Sequence, residues 1–303
     1  MRKEFSQWAE NRGRTYSDFI FLTGDLGFNA LEGVQEAMGP RFLNAGVSEQ
    51  NMISMAAALA HQGLSPLCYS IAPFAVFRPA EQIRVDLCLH NMNVKIVGNG
   101  GGYGYGIMGP THHAIEDIGV LSGFPKMKCF IPFCNSAVAS VADEMMNYKG
   151  PSYLRLGYGV APDTIESFDI YHSIQKIKSG NNLTIIGLGP IILNALQAID
   201  ELEQSADCFV INELPIPELS KTLRDSILKT SKVLVIEEHV SRGGLAEHLA
   251  FHLCKMAIAP KIFVSHSAQG YPSGLSGNQV FHQTESGLDK ESIKRTLVRL
   301  FNS

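Results

Sequence analysis

Short apolar runs alternate with segments of helical period along most of the chain. Runs rich in β-branched and aromatic residues are typical of buried strands, whereas apolar residues that recur every three or four positions are typical of helices. Their regular alternation predicts a parallel sheet covered by helices. In the first half, the pattern predicts strands at 18–23, 41–44, 65–70, 94–99, 128–132 and 152–156, and helices at 49–61, 78–91, 114–122 and 136–148.

The alternation stops in a polar stretch with Gly, Pro and Asn, which predicts a linker over 161–180. It then resumes, with strands predicted at 183–187, 208–212, 233–237 and 261–264, and helices at 193–203, 217–230, 245–257 and 289–301. We therefore predict two α/β domains, the first over 1–160 and the second over 181–303.

Composition narrows the class of protein. The 303 residues carry a net charge of -4, which argues against a nucleic-acid or anionic-membrane surface. The six cysteines show no CxxC spacing, so they predict neither a zinc site nor a redox pair. No run approaches the roughly 18 apolar residues of a membrane span. These features favour a soluble, cytoplasmic protein.

The segment GVSEQN places a carboxylate at the start of a predicted helix. Ser48 can cap that helix, and Glu49 would lie in its first turn. Such a glutamate most often only complements the helix dipole. Here the preceding FLNAGV predicts a strand end, so Glu49 is expected at the carboxyl edge of a parallel sheet, where open α/β sheets bind ligands.

Two further segments carry candidate chemistry. Phe74 and Phe77 follow a predicted strand beside Arg78, and they suit either a helix core or a stacking platform for a flat heterocycle. Seven glycines then lie between Gly98 and Gly109, ahead of Pro-Thr-His-His. Because this run does not open directly into a helix as GxGxxG requires, a flexible site loop that ends in His112 fits better than a dinucleotide-binding loop.

Together these motifs resemble the transketolase family. GVSEQNM, FxxFRPAEQIR, GPTHHAIEDI and GPSYLRLG are similar to its pyrimidine-binding domain, and LTIIGLGP, INELPIPEL and VIEEHVSRGGLAEHLA to its C-terminal domain. The resemblance covers the chain from about Asp18 onward. The family's diphosphate domain, with GDG and a following Asn, has no counterpart here, and Gly24-Asp25-Leu26 is not that motif.

The resemblance implies the small subunit of a split transketolase. Thiamine diphosphate would then lie between two chains, with its pyrimidine on this chain and its diphosphate and Mg²⁺ on a large partner subunit, in an α2β2 assembly. Alone, the chain should be inactive. With its partner it should transfer a two-carbon ketol unit from a ketose to an aldehyde acceptor.

The family's residue roles carry over to several positions. Glu49 would hydrogen-bond the pyrimidine ring nitrogen and promote proton removal from the cofactor. Phe74 and Phe77 would stack on or border the ring. His112 would hydrogen-bond donor oxygens, and Arg155 is the candidate for an anionic group on the substrate. The two remaining candidate cofactor contacts on this chain are Asp25 and Arg78.

Two positions depart from the family pattern. Met108 stands where many relatives have an Asp that contacts the acceptor hydroxyl, and Gly100 stands where relatives have a phosphate-binding His. Both positions belong to the candidate substrate site. We therefore expect an atypical acceptor, such as a nucleotide-linked or otherwise modified sugar.

Two other functions stay open at this point. The β subunit of a 2-oxo acid dehydrogenase decarboxylase component shares the expected architecture, although GPTHH and FRPAEQIR favour the transketolase. A non-catalytic module could instead hold a nucleotide on GNGGGYGYG. In the second domain, Glu237, Glu238 and His239 are expected to shape the subunit interface rather than to act in catalysis.

Overall fold

A computed structural model describes residues 1–27, 29–162, 165 and 170–303. These residues form two α/β domains, each built on a central sheet packed against helices. The strands are β1 Phe19–Thr23, β2 Phe42–Asn44, β3 Ser65–Ile71, β4 Lys95–Asn99, β5 Lys128–Phe130, β6 Ser152–Leu156, β7 Ile174–Lys178, β8 Thr184–Leu188, β9 Asp207–Ile211, β10 Glu213–Leu214, β11 Lys232–Glu237 and β12 Ile262–Ser267.

The helices follow the strands in the order expected of α/β domains. A π-helical segment, Ile83–Leu89, continues the short α5. The helices are α1 Arg2–Thr15, α2 Glu32–Met38, α3 Glu49–His61, α4 Ala72–Val76, α5 Ala80–Gln82, α6 Asp117–Ser122, α7 Val138–Asn147, α8 Ile192–Glu201, α9 Lys221–Thr230, α10 Leu245–Lys255, α11 Gln279–Glu285 and α12 Lys290–Asn302.

The first sheet has the strand order β10-β5-β6-β4-β3-β1-β2. Its strands are parallel except for β10, which comes from the second half of the chain and pairs antiparallel with β5 through Glu213–Phe130 and Leu214–Cys129. The inner strands β1 and β6 are buried along their whole length, as expected of parallel strands covered on both faces. The predicted α/β class is confirmed, with one antiparallel edge strand that the pattern did not show.

The second sheet has the order β12-β11-β8-β9-β7, with β7 antiparallel to β9. Strand β7 lies inside the stretch predicted as a linker over 161–180, so the ordered second domain begins earlier than predicted. Residues 163–164 and 166–169 of that predicted linker lie outside the described residues.

The first helix is absent from the sequence prediction. Helix α1 buries Phe5, Trp8 and Ala9, and the Trp8 indole donates to Asp143 of α7 at 2.8 Å. Its many charged positions hide this apolar face from a search for apolar runs. Within the described part of the chain, no helix is long and apolar enough to cross a membrane.

Candidate active site

Glu49 is the buried acid at the centre of the site. It begins α3, and only 3% of the residue is exposed. Ser48 occupies the N-cap position as expected, but its side chain makes no capping hydrogen bond. Its carboxylate accepts hydrogen bonds from Arg78 Nη1, at 3.0 Å to Oε1 and 2.9 Å to Oε2. The Ser70 hydroxyl also donates to Oε1 at 3.4 Å. The sequence thus correctly places this glutamate in a first turn at the carboxyl edge of the first sheet.

A small open position faces this carboxylate. A Cβ built on Gly24, directly after β1, would lie 3.5 Å from the Gly46 carbonyl oxygen, 3.6 Å from Glu49 Oε1 and 3.7 Å from Ser70 Oγ. Three oxygen atoms, two from the segment after β2 and one from the end of β3, therefore converge on one point. The Gly46 carbonyl oxygen accepts hydrogen bonds but cannot donate them, and the same holds for the Glu49 carboxylate when it is ionised. This pair of acceptors suits a ligand that presents N–H groups.

Arg78 fills the space beside Glu49 in this state. Its guanidinium carbon lies 3.8 Å from the centroid of the Phe74 ring, a stacked cation–π arrangement, while its Nη1 binds the carboxylate. The Arg78 side chain is 41% exposed, so it can move away without breaking buried packing. A flat cation with N–H donors thus occupies a site between an aromatic face and a buried acid.

The other two candidate cofactor contacts lie at the rim of this site. Phe77 is 38% exposed and Asp25 is exposed. Asp25 has φ 57° and pairs reciprocally with Asn44, whose Nδ2 donates to Asp25 Oδ1 at 2.9 Å and whose Oδ1 accepts from Asp25 N at 3.0 Å. The structure therefore brings together Glu49, Phe74 and Arg78 but leaves these two residues at the edge.

His112 lies against the same aromatic wall. Its ring centroid is 5.1 Å from that of Phe74 and 5.8 Å from that of Tyr105. Thr111 Oγ1 is 2.9 Å from His112 Nδ1, so when the hydroxyl donates, Nε2 carries the hydrogen and can donate to a ligand oxygen. The fold therefore brings Phe74 and His112, which are far apart in the sequence, into contact.

Tyr105 explains why position 100 is a glycine. Gly100 has φ +75°, and a Cβ there would collide with the Tyr105 ring. The Tyr105 hydroxyl accepts a hydrogen bond from Asn99 Nδ2 at 2.9 Å, which holds the ring in place. Tyr105 thus occupies the space that a side chain at position 100 would need. Met108, the other departure from the family pattern, is 54% exposed at the surface of the loop.

The glycine-rich loop differs from the flexible loop that the sequence predicts. Gly101, Gly102 and Gly106 are buried, and the loop packs on the second domain. Gly102 has φ +66°, and a Cβ there would collide with the Glu238 carboxylate. Glu238 Oε1 also accepts from Tyr103 N at 2.6 Å. Several of these glycines therefore allow close packing between domains.

Two of the three second-domain residues, Glu238 and His239, contact the first domain here, whereas Glu237 contacts a helix of its own domain. Burial raises the pKa of Glu237 to about 7, and its oxygens accept from the first amides of α10, Leu245 N and Ala246 N. Burial also raises the pKa of Glu238, which is bound by Gln279 and Gln283. The buried ring of His239 accepts from Gly119 N at 3.0 Å. Glu238 and His239 therefore join the two domains, while Glu237 binds the free amides at the start of α10.

Arg155 is buried between the two domains. Its Nε is 3.0 Å from Asp117 Oδ2, and its Nη2 donates to Ala114 O at 2.5 Å and to Glu238 O at 3.0 Å. Among the described residues, none accepts a hydrogen bond from Nη1. Arg155 lines a cavity of about 310 Å³, together with Gln279. Two of the three guanidinium nitrogens are therefore committed to contacts within the protein.

A second cavity reveals two basic residues that the sequence analysis overlooked. It measures about 440 Å³ and is lined by Arg2 and Lys3 of α1, by Gly100 and by Tyr105. Gly157, Tyr158 and Gln279 line both cavities, so the two adjoin. The sequence could have placed Arg2 and Lys3 here only if α1 had been predicted as a helix that packs on the first sheet.

The described residues contain no group of three or more His, Cys, Asp or Glu side chains placed to hold a metal ion. The groups assembled at the site are instead an acid, aromatic rings, an imidazole and basic side chains. Such a set can bind a flat, hydrogen-bonding heterocycle next to an anionic, oxygen-rich molecule.

Comparisons with known proteins agree with this geometry. Residues 1–160 match the family "Transketolase, pyrimidine binding domain", and residues 172–293 match "Transketolase, C-terminal domain". The chain is 30% identical, over 303 residues, to one of the subunits of the apulose-4-phosphate transketolase of Phocaeicola vulgatus, covering 97% of this chain and 95% of that protein.

Two further similarities extend the comparison. The chain is 28% identical to a 6-deoxy-6-sulfo-D-fructose transketolase subunit of a Clostridium species, over 76% of this chain and 73% of that protein. It also matches the solved structure described as "Split gene transketolase, inactive beta4 tetramer" with a TM-score of 0.84 and 25% identity, covering 99% of this chain and 97% of that one.

Proposed function

The chain belongs to the transketolase family, and on that premise we propose that it is the small subunit of a heteromeric, thiamine diphosphate-dependent transketolase. In this proposal a large partner subunit carries the diphosphate-binding domain and Mg²⁺, and the two chains form an α2β2 assembly. The proposal includes a cytoplasmic location, which agrees with six cysteines that form no disulfide.

One observation carries the proposal. The Arg78 guanidinium is flat and cationic, donates N–H groups to Glu49 and stacks on Phe74 at 3.8 Å. An aminopyrimidine is also flat, with ring nitrogen and amino groups in one plane, so it can make both interactions at the same place. The acceptor atoms around Gly24, including the Gly46 carbonyl, suit the amino group.

When bound, the cofactor supplies a carbon nucleophile that can break the carbon–carbon bond next to a ketose carbonyl. This chain's residues prepare that chemistry. Glu49, buried and unable to reach bulk water, would hold a proton at the pyrimidine ring nitrogen. Phe74 would fix the plane of the ring, and His112 Nε2–H would hydrogen-bond the substrate oxygen on which charge develops.

The paired cavities favour a substrate with an anionic end. Arg155 lines one cavity together with Glu238, and Arg2 and Lys3 line the other together with Glu4, so two of the three basic side chains lie in the cavity beside Gly100. Phosphate and sulfonate groups bind such basic sites through charge-assisted hydrogen bonds. The names of two relatives, for apulose-4-phosphate and 6-deoxy-6-sulfo-D-fructose, denote sugars that carry such groups. We therefore propose a modified, anionic sugar as substrate.

The shape of the site supports an atypical sugar. Tyr105 fills the space over Gly100, and Met108 offers a thioether where an acidic side chain would bind a hydroxyl. A site with these two groups loses hydrogen bonds to an ordinary pentose phosphate, because a ring edge does not replace the N–H donor of a phosphate-binding His and a thioether is a weak acceptor for a hydroxyl.

The test combines the chain with its large subunit, thiamine diphosphate and Mg²⁺. Ketol transfer from apulose 4-phosphate or 6-deoxy-6-sulfo-D-fructose to glyceraldehyde 3-phosphate would support the proposal, and neither subunit alone should be active. Efficient turnover of xylulose 5-phosphate with ribose 5-phosphate would contradict the atypical sugar. Release of CO₂ from pyruvate would favour the 2-oxo acid dehydrogenase component instead.

A further inference from the structure

The loop that carries His112 is held by the second domain at several points. Tyr103 N donates to Glu238, and the Tyr103 hydroxyl donates to Gly270 O at 2.9 Å. Farther along the loop, Val240 N donates to Ile115 O at 2.8 Å. The segment between Tyr103 and Ile115 is therefore fixed at both ends by residues from the other domain.

The neighbour of His112 provides the anchor inside this segment. His113 is 2% exposed, and its Nε2 lies 2.8 Å from Gly106 O. Because a carbonyl oxygen can only accept, Nε2 carries the hydrogen, and Nδ1 accepts from the Tyr271 hydroxyl at 3.0 Å. Both ring nitrogens are thus used, one within the loop and one by the second domain.

Aromatic contacts restrict the same ring further. The His113 ring is stacked on Tyr271 with an interplanar angle of 15°, and it meets Tyr103 and His282 edge-on at centroid distances of 5.3 and 4.9 Å. Burial lowers the pKa of His113, which keeps the neutral ring that these two hydrogen bonds require. A ring held by two hydrogen bonds and three aromatic contacts cannot turn freely.

Consecutive side chains place the two histidines in different environments. His112 faces Phe74 and Tyr105 at the candidate active site, whereas His113 is buried against the second domain. A rotation or shift of the backbone at His113 would therefore move His112 directly. We propose that His113, bonded to Tyr271, is a positioning residue through which the second domain sets the place of His112 at the active site.

This inference rests on the proposed function, and it assigns a role to the second domain in the reaction. Among the described residues, the hydrogen bonds and ring contacts of Glu49, Phe74 and Arg78 all lie within the first domain. The second domain acts by fixing a loop of the first domain. Misplacement of a reacting or hydrogen-bonding group by about 1 Å can lower the rate on the order of 100-fold. Small displacements of His112 should therefore be measurable as a fall in kcat.

The experiment compares three variants in the assembled, cofactor-loaded enzyme. Tyr271→Phe removes only the hydroxyl that donates to His113, and His113→Phe removes both hydrogen bonds while a ring remains. Tyr171→Phe is the matched control, because its hydroxyl donates to Glu213 at 2.7 Å, away from the loop. We expect kcat to fall about threefold for Tyr271→Phe and about tenfold or more for His113→Phe, with the Kd for thiamine diphosphate unchanged.

A second readout does not depend on activity. Hydrogen exchange of a peptide spanning 106–113 in the isolated, folded chain should become faster in Tyr271→Phe and stay unchanged in Tyr171→Phe. An unchanged kcat in both Tyr271→Phe and His113→Phe would overturn the inference, whatever happens to Tm or to hydrogen exchange. If the complex with the unsubstituted chain is inactive, the proposed function is contradicted. In that case the hydrogen exchange of Tyr271→Phe decides separately, and an unchanged rate would overturn the inference as well.

Discussion

Arg78 should compete with the cofactor for Glu49 and Phe74. In the present state it makes two contacts of 2.9 and 3.0 Å with the buried carboxylate and stacks on the aromatic ring. If the cofactor takes this place, the guanidinium must leave. The variant Arg78→Ala removes the competitor, and it should strengthen cofactor binding while it destabilises the free chain.

The structure sets the size of this effect. A hydrogen bond to a charged group contributes about 1.5–3 kcal/mol. The Arg78 side chain is 41% exposed, so solvent screening reduces the net value to about 1 kcal/mol. Removal of an interaction of this size from the free state should raise cofactor affinity about fivefold, since 1.4 kcal/mol corresponds to about tenfold.

Two measurements test this prediction. Calorimetric titration of the assembled subunits with thiamine diphosphate and Mg²⁺ gives the Kd, and urea unfolding of the isolated chain gives the free energy of unfolding. Arg84→Ala is the control, because it removes an exposed arginine from the following π-helical segment with the same change in charge. A weaker Kd in Arg78→Ala would show that Arg78 contacts the bound cofactor and would refute the competition.

Four further outcomes are expected. Glu49→Gln should lower kcat about 100-fold or more in the assembled enzyme, and unchanged activation by the cofactor would contradict its role. Arg2→Ala should raise KM about tenfold for phosphorylated aldehydes but leave KM for uncharged glycolaldehyde unchanged; equal effects on both would exclude an anion contact. Tyr105→Ala should shift the kcat/KM ratio of ribose 5-phosphate to glyceraldehyde 3-phosphate about tenfold toward the larger acceptor, and a constant ratio would count against Tyr105 as a wall of the site. Burial raises the pKa of Glu237 from its ordinary 4.5 to about 7, so this carboxyl group ionises at lower pH in the unfolded chain than in the folded one. The free energy of unfolding should therefore fall by about 3 kcal/mol between pH 4.5 and 7, relative to Glu237→Gln. Urea titrations at several pH values measure this difference, and parallel pH curves for the two proteins would refute it.

Local sequence patterns predicted the elements that carry the candidate cofactor site. The predicted helix 49–61 coincides with α3, because Ser48, Glu49 and a run of alanines and apolar residues define its start and face within one short stretch. The strands that precede Glu49 and Phe74 were predicted within one residue at most of their boundaries. Information of this kind is local, so it can be recovered from the order of residue types within a short stretch.

The remaining parts of the site depend on contacts between distant segments. Arg2 reaches the cavity beside Gly100 only because α1 packs on the first sheet, and no local signal links the two. The partners of Arg155 likewise come from two domains. The sequence predicted the residue types at the site, but long-range packing determines which of them face a ligand.

The same applies to the glycine-rich loop. Its composition predicted flexibility, because glycine allows many backbone conformations. In the structure, Gly102 is needed for close approach to Glu238, and Gly100 for the position of Tyr105. A glycine required by a neighbouring side chain cannot be distinguished in the sequence from a glycine in a mobile loop.

Strand β10 makes the two halves of the chain inseparable. Glu213 and Leu214 belong by sequence to the second domain, yet they cover the outer edge of β5 in the first sheet. A fragment cut near residue 160 would leave that edge open, and exposed strand edges promote aggregation. A gene split between these two domains would therefore carry a penalty in aggregation. We expect the two domains to be inherited and folded as one unit.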